Sequence, residues 1–371
     1  MLFRMKRRYL FFITGMPMGG AERVMSTLAN QFTQNGDEVR ILTMKAPKCA
    51  YELDPRVEIV GAYAKMELSS LKCAVKSFAS IVKGMTVYKK QLKEYKPDLV
   101  LAFLTYTNMI ATIVGRKYAP VVISERCDPR ERSEVLIKLV NHIYPKADCI
   151  VCQSKTIEKY FKEANPASET AVIPNPVNKN SINIEPIYNR KKKIIAAGRL
   201  SPQKNYELLI RAFNRICNCF PEYRVEIYGE GPEKDSLEKL IQELGLQSKI
   251  ILMGTKLNVI KEEAAASLYV MSSDYEGFPN ALAEAMASGL PVISTDFPSG
   301  VAHEIIEDGK NGYVVPLGDE EKLAEAMKKI LSNSELQEIM SKNNEGIREQ
   351  LSEAQVYKVW KELFEKLISE R

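Results

Sequence analysis

Two glutamates, Glu276 and Glu284, stand seven residues apart within SDYEGFPNALAEAMASGLPVIST, residues 273–295. A carboxylate accepts hydrogen bonds only, and its two oxygens suit a pair of neighbouring hydroxyls. Upstream, GRLSPQKN (198–205) carries Arg199 and Lys204. Arginine forks onto two phosphate oxygens, whereas lysine acts as a point charge. Two glycine turns, GEGP (229–232) and MGTK (253–256), each follow an apolar run. There Gly229 and Gly254 would let a planar base lie against the backbone. Each feature has a plain reading by itself: Glu284 as a solvated helix residue, Arg199 and Lys204 as surface charge. Taken together, these strand ends match a nucleoside diphosphate. The base would lie near Gly254, the ribose against a carboxylate, and the phosphates on Arg199, Lys204 and the helix start at 278–280. GMPMGG (15–20), with Gly19 and Gly20, also joins a strand to a helix and could admit an anion. It matches neither G-x-G-x-x-G nor the Walker pattern, so a plain turn is an equal reading.

These residues must be positioned by a repeated strand–helix plan. Pro279 suits a first helical position, Asn280 to Ser288 are mostly helix formers, and Gly289 is placed to stop the helix. LPVIST then reads as a buried strand. That order is a crossover unit of a parallel sheet, whose ligands bind beyond the strands' carboxyl ends. In the first half YLFFIT, EVRILTM, PDLVLAF, APVVISE and ADCIVCQS are strands, with helices at AERVMSTLANQFTQNG and from about Leu68 to Tyr95. In the second half KIIAAGRL, RVEIYGEG, KIILMG and LYVMS are strands. Their helices are YELLIRAFNRICNCF, EKDSLEKLIQELGL and VIKEEAAAS, with a further helical region over about 320–370. The polar, proline-bearing stretch 175–193 reads as a linker. The expected fold class is α/β, with two facing Rossmann-like domains and an interdomain cleft. The domains are expected at 1–180 and 181–350, with a terminal helix at 351–371 packing back on the first.

At 371 residues, with 45% hydrophobic and 27% charged residues, the chain has the composition of a two-domain globular protein. It contains no apolar run of the ~18 residues that span a bilayer. MLFRMKRRYLFFITG has the basic start of a signal peptide but no small-residue cleavage site, so YLFFIT reads as the first strand. A cytoplasmic location is expected. Seven cysteines are scattered, and the Cys149–Cys152 pair lies inside a strand, so buried reduced thiols are expected. There is no Asp-x-Asp and no histidine–carboxylate cluster, and no metal is expected. Charge is divided between the halves: residues 1–180 hold 28 Lys/Arg against 17 Asp/Glu, a net +11, and the remainder nets −6. From Lys65 to Lys96 there are eight lysines against two glutamates. Lys72, Lys76, Lys83 and Lys90 recur on one helical stripe and Leu71, Val75, Phe78, Met85 and Leu92 on another. Such a helix packs on its sheet, lies on an anionic leaflet, or does both. No recognition motif for nucleic acid is present.

GMPMGGAERV, IPNPV, GRLSPQKNYELLIRAF, YGEGPEKDSLEKL and EGFPNALAEAMASGLPVIST with HEIIEDGKNGYVVPLGD resemble glycosyltransferase family 4 over nearly the whole chain. The likeness is densest over 194–320. It implies two Rossmann-like domains of the GT-B arrangement and a retaining, metal-independent hexosyltransferase without a cofactor. The implied donor is a nucleotide-diphosphate sugar, most simply UDP-linked and carrying a hexose or N-acetylhexosamine. The implied acceptor is a glycan or polyprenyl-diphosphate-linked chain of surface polysaccharide assembly, met at the inner face of the cell membrane. By the same resemblance Glu276 contacts the donor sugar and Glu284 the ribose. The amides of Gly277, Phe278, Pro279's neighbour Asn280 and the helix start face the diphosphate. Arg199 and Lys204 neutralise the leaving group, and Gly19 and Gly20 complete the phosphate pocket. Many members carry a histidine after the strand matching VVIS, where this chain has Glu125 or Arg126 in ISERCDPR. Glu125 is therefore a catalytic candidate, or else a partner of Arg126 or Arg130 in an ion pair. Two other readings fit the same plan: a sugar-nucleotide epimerase, which needs groups placed for proton abstraction, and a catalytically silent sugar-nucleotide-binding subunit.

Overall fold

The computed structural model describes residues 6–63, 71–126, 130, 132–177, 182–185, 189–256 and 258–371, with the side chains of 71–81 and of residue 262 outside that set. The chain forms two compact units, Met1–Pro174 with Val356–Arg371, and Asn175–Gln355. Of the expected linker, residues 178–181 and 186–188 lie outside the described residues.

The first unit holds β1 (Arg8–Ile13), β2 (Glu38–Thr43), β3 (Glu58–Gly61), β4 (Leu99–Phe103), β5 (Val121–Ser124), β6 (Cys149–Cys152) and β7 (Thr170–Val172). They pair in parallel in the order β3-β2-β1-β4-β5-β6-β7. A parallel sheet is covered on both faces, so its strands run apolar throughout; Leu99 to Phe103 is buried at every position. Successive side chains alternate between faces. Tyr9, Phe11 and Ile13 meet the helix Gly20–Gln34 and the terminal helix Glu353–Ser369. The rings of Phe32 and Phe364 stack there at 5.1 Å, and Trp360 is fully buried. Leu10 and Phe12 point to the opposite face, with Tyr88, Met109 and Val140 from the helices Leu71–Tyr95, Thr105–Ile110 and Glu134–Ile143.

The second unit holds β8 (Lys191–Ala197), β9 (Arg224–Tyr228), β10 (Ile250–Gly254), β11 (Ala266–Met271), β12 (Val292–Thr295) and β13 (Gly312–Val315). The order β10-β9-β8-β11-β12-β13 reverses direction between β8 and β11. In such sheets the crevice beyond the carboxyl ends at the reversal is the ligand position. In both units the crossover plan of the sequence produces a Rossmann-type sheet.

Three local expectations need correction. VIKEEAAAS forms only one helical turn, Val259–Glu262, and Ala266 already opens β11. Every residue of that central strand is buried, and burial between two neighbouring strands overrides alanine's helix preference. Pro279 precedes the helix instead of starting it: its ψ of 76° is not helical, and Asn280 is the first helical residue. GYVV, not expected as a strand, closes the sheet edge as β13. Gly289 does end the helix Asn280–Ala287, with φ of 74° in the left-handed region, where a residue with a Cβ is strained.

Candidate active site

At the reversal point, the segments leaving β8 and β11 are laced together. After β8 the chain passes Gly198 and Arg199, makes a short turn at Pro202–Lys204, and enters the helix Tyr206–Ile216 through Asn205. Asn205 takes the left-handed conformation and its side chain caps the helix by accepting from the Leu208 amide. The same side chain donates to Asp274 Oδ1 at 2.8 Å. Gln203 Nε2 donates to the Tyr275 carbonyl, and the Gln203 carbonyl accepts from the Asp274 amide. Ser272 Oγ donates to the Lys204 carbonyl at 2.9 Å. These bonds fix the loop 272–276 against the turn 203–205, and they set Lys204 Nζ 2.5 Å from Glu276 Oε1. Ser273 Oγ donates to the same oxygen at 2.7 Å. Glu276 is 8% exposed, so a carboxylate sits nearly dry, neutralised by one lysine and one hydroxyl.

Glu284 lies on the following helix and is also only 8% exposed, so the solvated reading fails. Two tyrosines line the ground by both glutamates. Burial, then Tyr206, Glu276 and Glu284 in turn, push the Tyr269 hydroxyl well above its ordinary range. Burial and Glu276 push up Tyr206 as well. The Tyr206 hydroxyl is buried without a protein hydrogen-bond partner among the described residues, beside Gly198 and the Lys204 side chain. At the helix start Phe278 and Pro279 are buried and Gly277 is half-buried. Asn175, 2% exposed, donates from Nδ2 to Asn280 Oδ1 at 2.9 Å, which leaves the Asn280 amide group turned the other way. Arg199 is exposed at the end of β8.

The glycine turns interlock backbone to backbone. A Cβ on Gly229 would lie 1.9 Å from the Gly198 carbonyl oxygen, and the Gly229 amide donates to the Gly254 carbonyl at 2.9 Å. Only glycine fits that approach. Behind them Lys193 bridges Glu226 (2.7 Å) and Glu263 (2.8 Å), and Lys256 joins Glu263 at 2.7 Å. The turn after β10 is therefore anchored to the sheet through Lys256. Burial raises the Glu263 carboxyl, but bonds from Lys193, Lys256 and Tyr228 outweigh it and hold the group down at about 2.

In the first unit a cavity of about 460 Å³ opens at the carboxyl ends of β1, β4 and β5, lined in part by Thr14, Glu22, Lys45, Tyr106, Glu125 and Arg132. Glu125 is 1% exposed and both its oxygens are engaged: Oε1 with Arg132 at 2.6 Å and the Arg126 amide, Oε2 with the Tyr144 hydroxyl. Arg132, six residues beyond Arg126, thus pairs with Glu125, a partner that the sequence reading did not name. Arg126 lays its guanidinium 3.9 Å over the Phe103 ring. The Tyr51 hydroxyl lies 2.8 Å from both the amide and the carbonyl of Gly19, so that amide is already engaged, while Gly20 begins the exposed start of the helix Gly20–Gln34.

The geometry thus brings Lys204, Glu276 and the 278–280 helix start together with Glu284 behind them. Sequence reasoning missed Ser273, Gln203, Asp274, Tyr206, Tyr269 and Asn175. Asn175, Gln203, Tyr206, Ser273 and Asp274 all lie within or beside the quoted motifs IPNPV, GRLSPQKNYELLIRAF and SDYEGFPN, whereas Tyr269 carried no signal beyond its buried strand. Among the described residues no group of three or more His, Cys, Asp and Glu side chains could hold a metal ion. No described helix is long and apolar enough to cross a membrane. Cys149 and Cys152 are buried, and burial pushes the Cys149 thiol up to about 12.

Residues 18–181 match the family described as Glycosyltransferase Family 4, and residues 177–346 match Glycosyl transferases group 1. A Campylobacter jejuni protein is 30% identical over 346 residues, covering 88% of this chain and 90% of its own. It is N-acetylgalactosamine-N,N'-diacetylbacillosaminyl-diphospho-undecaprenol 4-alpha-N-acetylgalactosaminyltransferase. The chain belongs to glycosyltransferase family 4. A second C. jejuni relative of this family 4 enzyme, an alpha-1,4-N-acetyl-D-galactosaminyltransferase acting on a diNAcBac-PP-undecaprenol glycan, is 26% identical and covers 90% of the chain and 91% of itself. Two solved structures share the fold. Sucrose-phosphate synthase from Thermosynechococcus elongatus aligns with a TM-score of 0.84 at 19% identity, covering 98% of this chain and all of that one. Anabaena Alr3699/HepE in complex with UDP aligns at 0.79 and 19%, again over 98% of this chain and 100% of its own. The family 4 glycosyltransferase therefore has two Rossmann-like domains of the GT-B class.

Proposed function

We propose that this family 4 glycosyltransferase moves a hexose or N-acetylhexosamine from a UDP-linked donor to a polyprenyl-diphosphate-linked or polysaccharide acceptor in surface glycan assembly, with retention at the anomeric carbon. The observation that carries the reading is the Lys204–Glu276 pair at the β8/β11 reversal, beside Arg199 and the start of the Asn280–Ala287 helix. The undecaprenol-linked acceptors named for both C. jejuni relatives support the acceptor class. The UDP named for the Anabaena structure supports the donor.

In this reading Lys204, Arg199 and the helix amides take up the negative charge that grows on the diphosphate, so no metal or cofactor is required. Glu276 holds the donor sugar hydroxyls and Glu284 the ribose diol. Gly229 and Gly254 admit the base, and in the first unit the helix start at Gly19 and Gly20 offers backbone amides to an anion. The acceptor hydroxyl attacks the anomeric carbon on the face from which the diphosphate leaves. The carbon–oxygen bond to the β-phosphate breaks, its electron pair stays on the diphosphate oxygen, and the acceptor's proton passes to that oxygen. Glu125, with both oxygens bonded, acts by positioning Arg132 in the first unit's cavity. The enzyme works at the inner face of the cell membrane, where exposed Lys83 and Lys90 meet anionic lipid; the side chains of Lys72 and Lys76 lie outside the described residues. Released nucleotide from a panel of UDP- and GDP-sugars, measured with EDTA present, tests the proposal. Release from one UDP-sugar that Glu276→Ala abolishes is the expected result, and dependence on added metal or conversion to an isomeric sugar nucleotide would refute it.

A further inference from the structure

On the sheet face opposite the terminal helix, an open groove of about 530 Å³ runs between the helices Leu71–Tyr95 and Ala111–Gly115. Val82, Met85, Thr86 and Lys89 form one wall, spaced at three, four and seven along a single helical stripe. Ile113, Val114, Lys117 and Tyr118 form the other. Val82 is 45% exposed and Ile113 is 55% exposed, so two branched apolar side chains face outward where lone leucine-class exposure is normal but a lined groove is not. Ile113 and Val114 of the second wall lie in a π-helical turn, Ala111–Gly115, a widened backbone that recurs at functional sites. Its last residue explains how it is held: a Cβ on Gly115 would run into the Tyr88 hydroxyl and Val121, so the turn is pressed against its neighbours while Ile113 and Val114 are left at the rim.

The surroundings are strongly basic. Over 82–96 and 111–118 there are seven Lys/Arg against one glutamate. Lys89 and Lys117 flank the groove on opposite walls and are exposed. On another flank of the helix Leu71–Tyr95, Lys83 Nζ donates to the Tyr63 carbonyl at 3.3 Å, and Tyr63 is exposed. An apolar slot edged by ammonium groups, with the half-buried Tyr118 in its wall, has the chemistry of a bilayer interface, with acyl chain below and phosphate above.

We propose that this groove seats an acyl chain of an anionic membrane phospholipid, with the lipid phosphate held between Lys89 and Lys117, and that the first unit docks on the bilayer through these two helices. The inference deepens the proposed function, since an acceptor anchored in a membrane requires the enzyme at that surface. Its test uses no acceptor and no donor turnover, so either reading can fail alone. The full chain is sedimented with vesicles of phosphatidylcholine alone and of phosphatidylcholine with phosphatidylglycerol, and UDP binding is measured in parallel as a check on folding. The wild type binds the anionic vesicles about tenfold more tightly. Lys89→Glu with Lys117→Glu removes that preference, and Val82→Asp and Ile113→Asp each weaken anionic-vesicle binding about fivefold, with UDP binding unchanged. Equal binding to both vesicle types would overturn the proposal. So would full binding by both aspartate variants, which would reduce the surface to electrostatics without a groove, and so would binding that appears only when polyprenyl phosphate is added.

Discussion

Lys204 and Glu276, 72 residues apart in sequence, meet at 2.5 Å at the junction of β8 and β11, and Ser273 shares the same carboxylate oxygen. Removing either partner strands the other in a nearly dry place, at a cost of about 3 kcal/mol. Lys204→Met and Glu276→Gln are therefore each expected to lower thermal stability, and the double variant to lose less than the sum. Turnover should fall about 100–1000-fold in each single variant, with little further loss in the double. Additive losses in both stability and turnover would show that the two residues do not act as a pair.

Glu284 is a buried carboxylate on the helix that begins at the proposed phosphate position. If it binds the ribose diol, Glu284→Ala should weaken donor affinity by roughly 10–150-fold, the value of one lost charged hydrogen bond of about 1.5–3 kcal/mol. A 2′-deoxyribonucleotide donor supplies the control. The wild type should discriminate against it and the variant should not.

Tyr206 carries a hydroxyl with no protein partner among the described residues, beside Gly198 and Lys204. A buried unpaired hydroxyl is a cost to the free enzyme. Tyr206→Phe should leave stability unchanged or slightly higher while raising KM for the donor about tenfold, because a bound donor would satisfy that oxygen. Lower stability with unchanged KM would mean that the hydroxyl serves the fold alone.

The Lys193–Glu226–Glu263–Lys256 cluster gives the fold an acid-sensitive component. Bonds from Lys193, Lys256 and Tyr228 outweigh burial and hold Glu263 at about 2, below its ordinary 4.5. A depressed carboxyl stabilises the folded state above its unfolded pKa, and that contribution is lost as pH falls through the folded value. Urea unfolding should show the wild type losing stability as pH falls from 4.5 toward 2. Glu263→Gln should flatten part of that slope and narrow its own deficit as the pH drops.

Much of the fold is legible in the amino-acid sequence. The strands YLFFIT, PDLVLAF and LPVIST and their glycine turns carry a local signal, because parallel strands buried on both faces must be apolar throughout. The 276/284 spacing and the Arg199/Lys204 pair point to the candidate site through residue type. What escapes such reading depends on pairing across distance. VIKEEAAAS reads as helix until β8 and β12 claim Ala266 and its neighbours for the sheet. Glu125 has several arginines close by in sequence, and spacing alone does not tell that Arg132 closes on it while Arg126 lies over Phe103. Glu284 looks like any exposed helix glutamate until the helix is packed. The Asn175–Asn280 contact joins residues 105 apart, and no local pattern announces it.

The most direct test of the central claim is the stereochemistry of transfer, followed by proton NMR of the purified enzyme with an α-linked UDP-sugar and an undecaprenyl-diphosphate-linked glycan in the presence of EDTA. The account predicts an α-linked product formed without metal, and no product with Glu276→Ala. A β-linked product, or transfer that survives loss of Glu276, would contradict it.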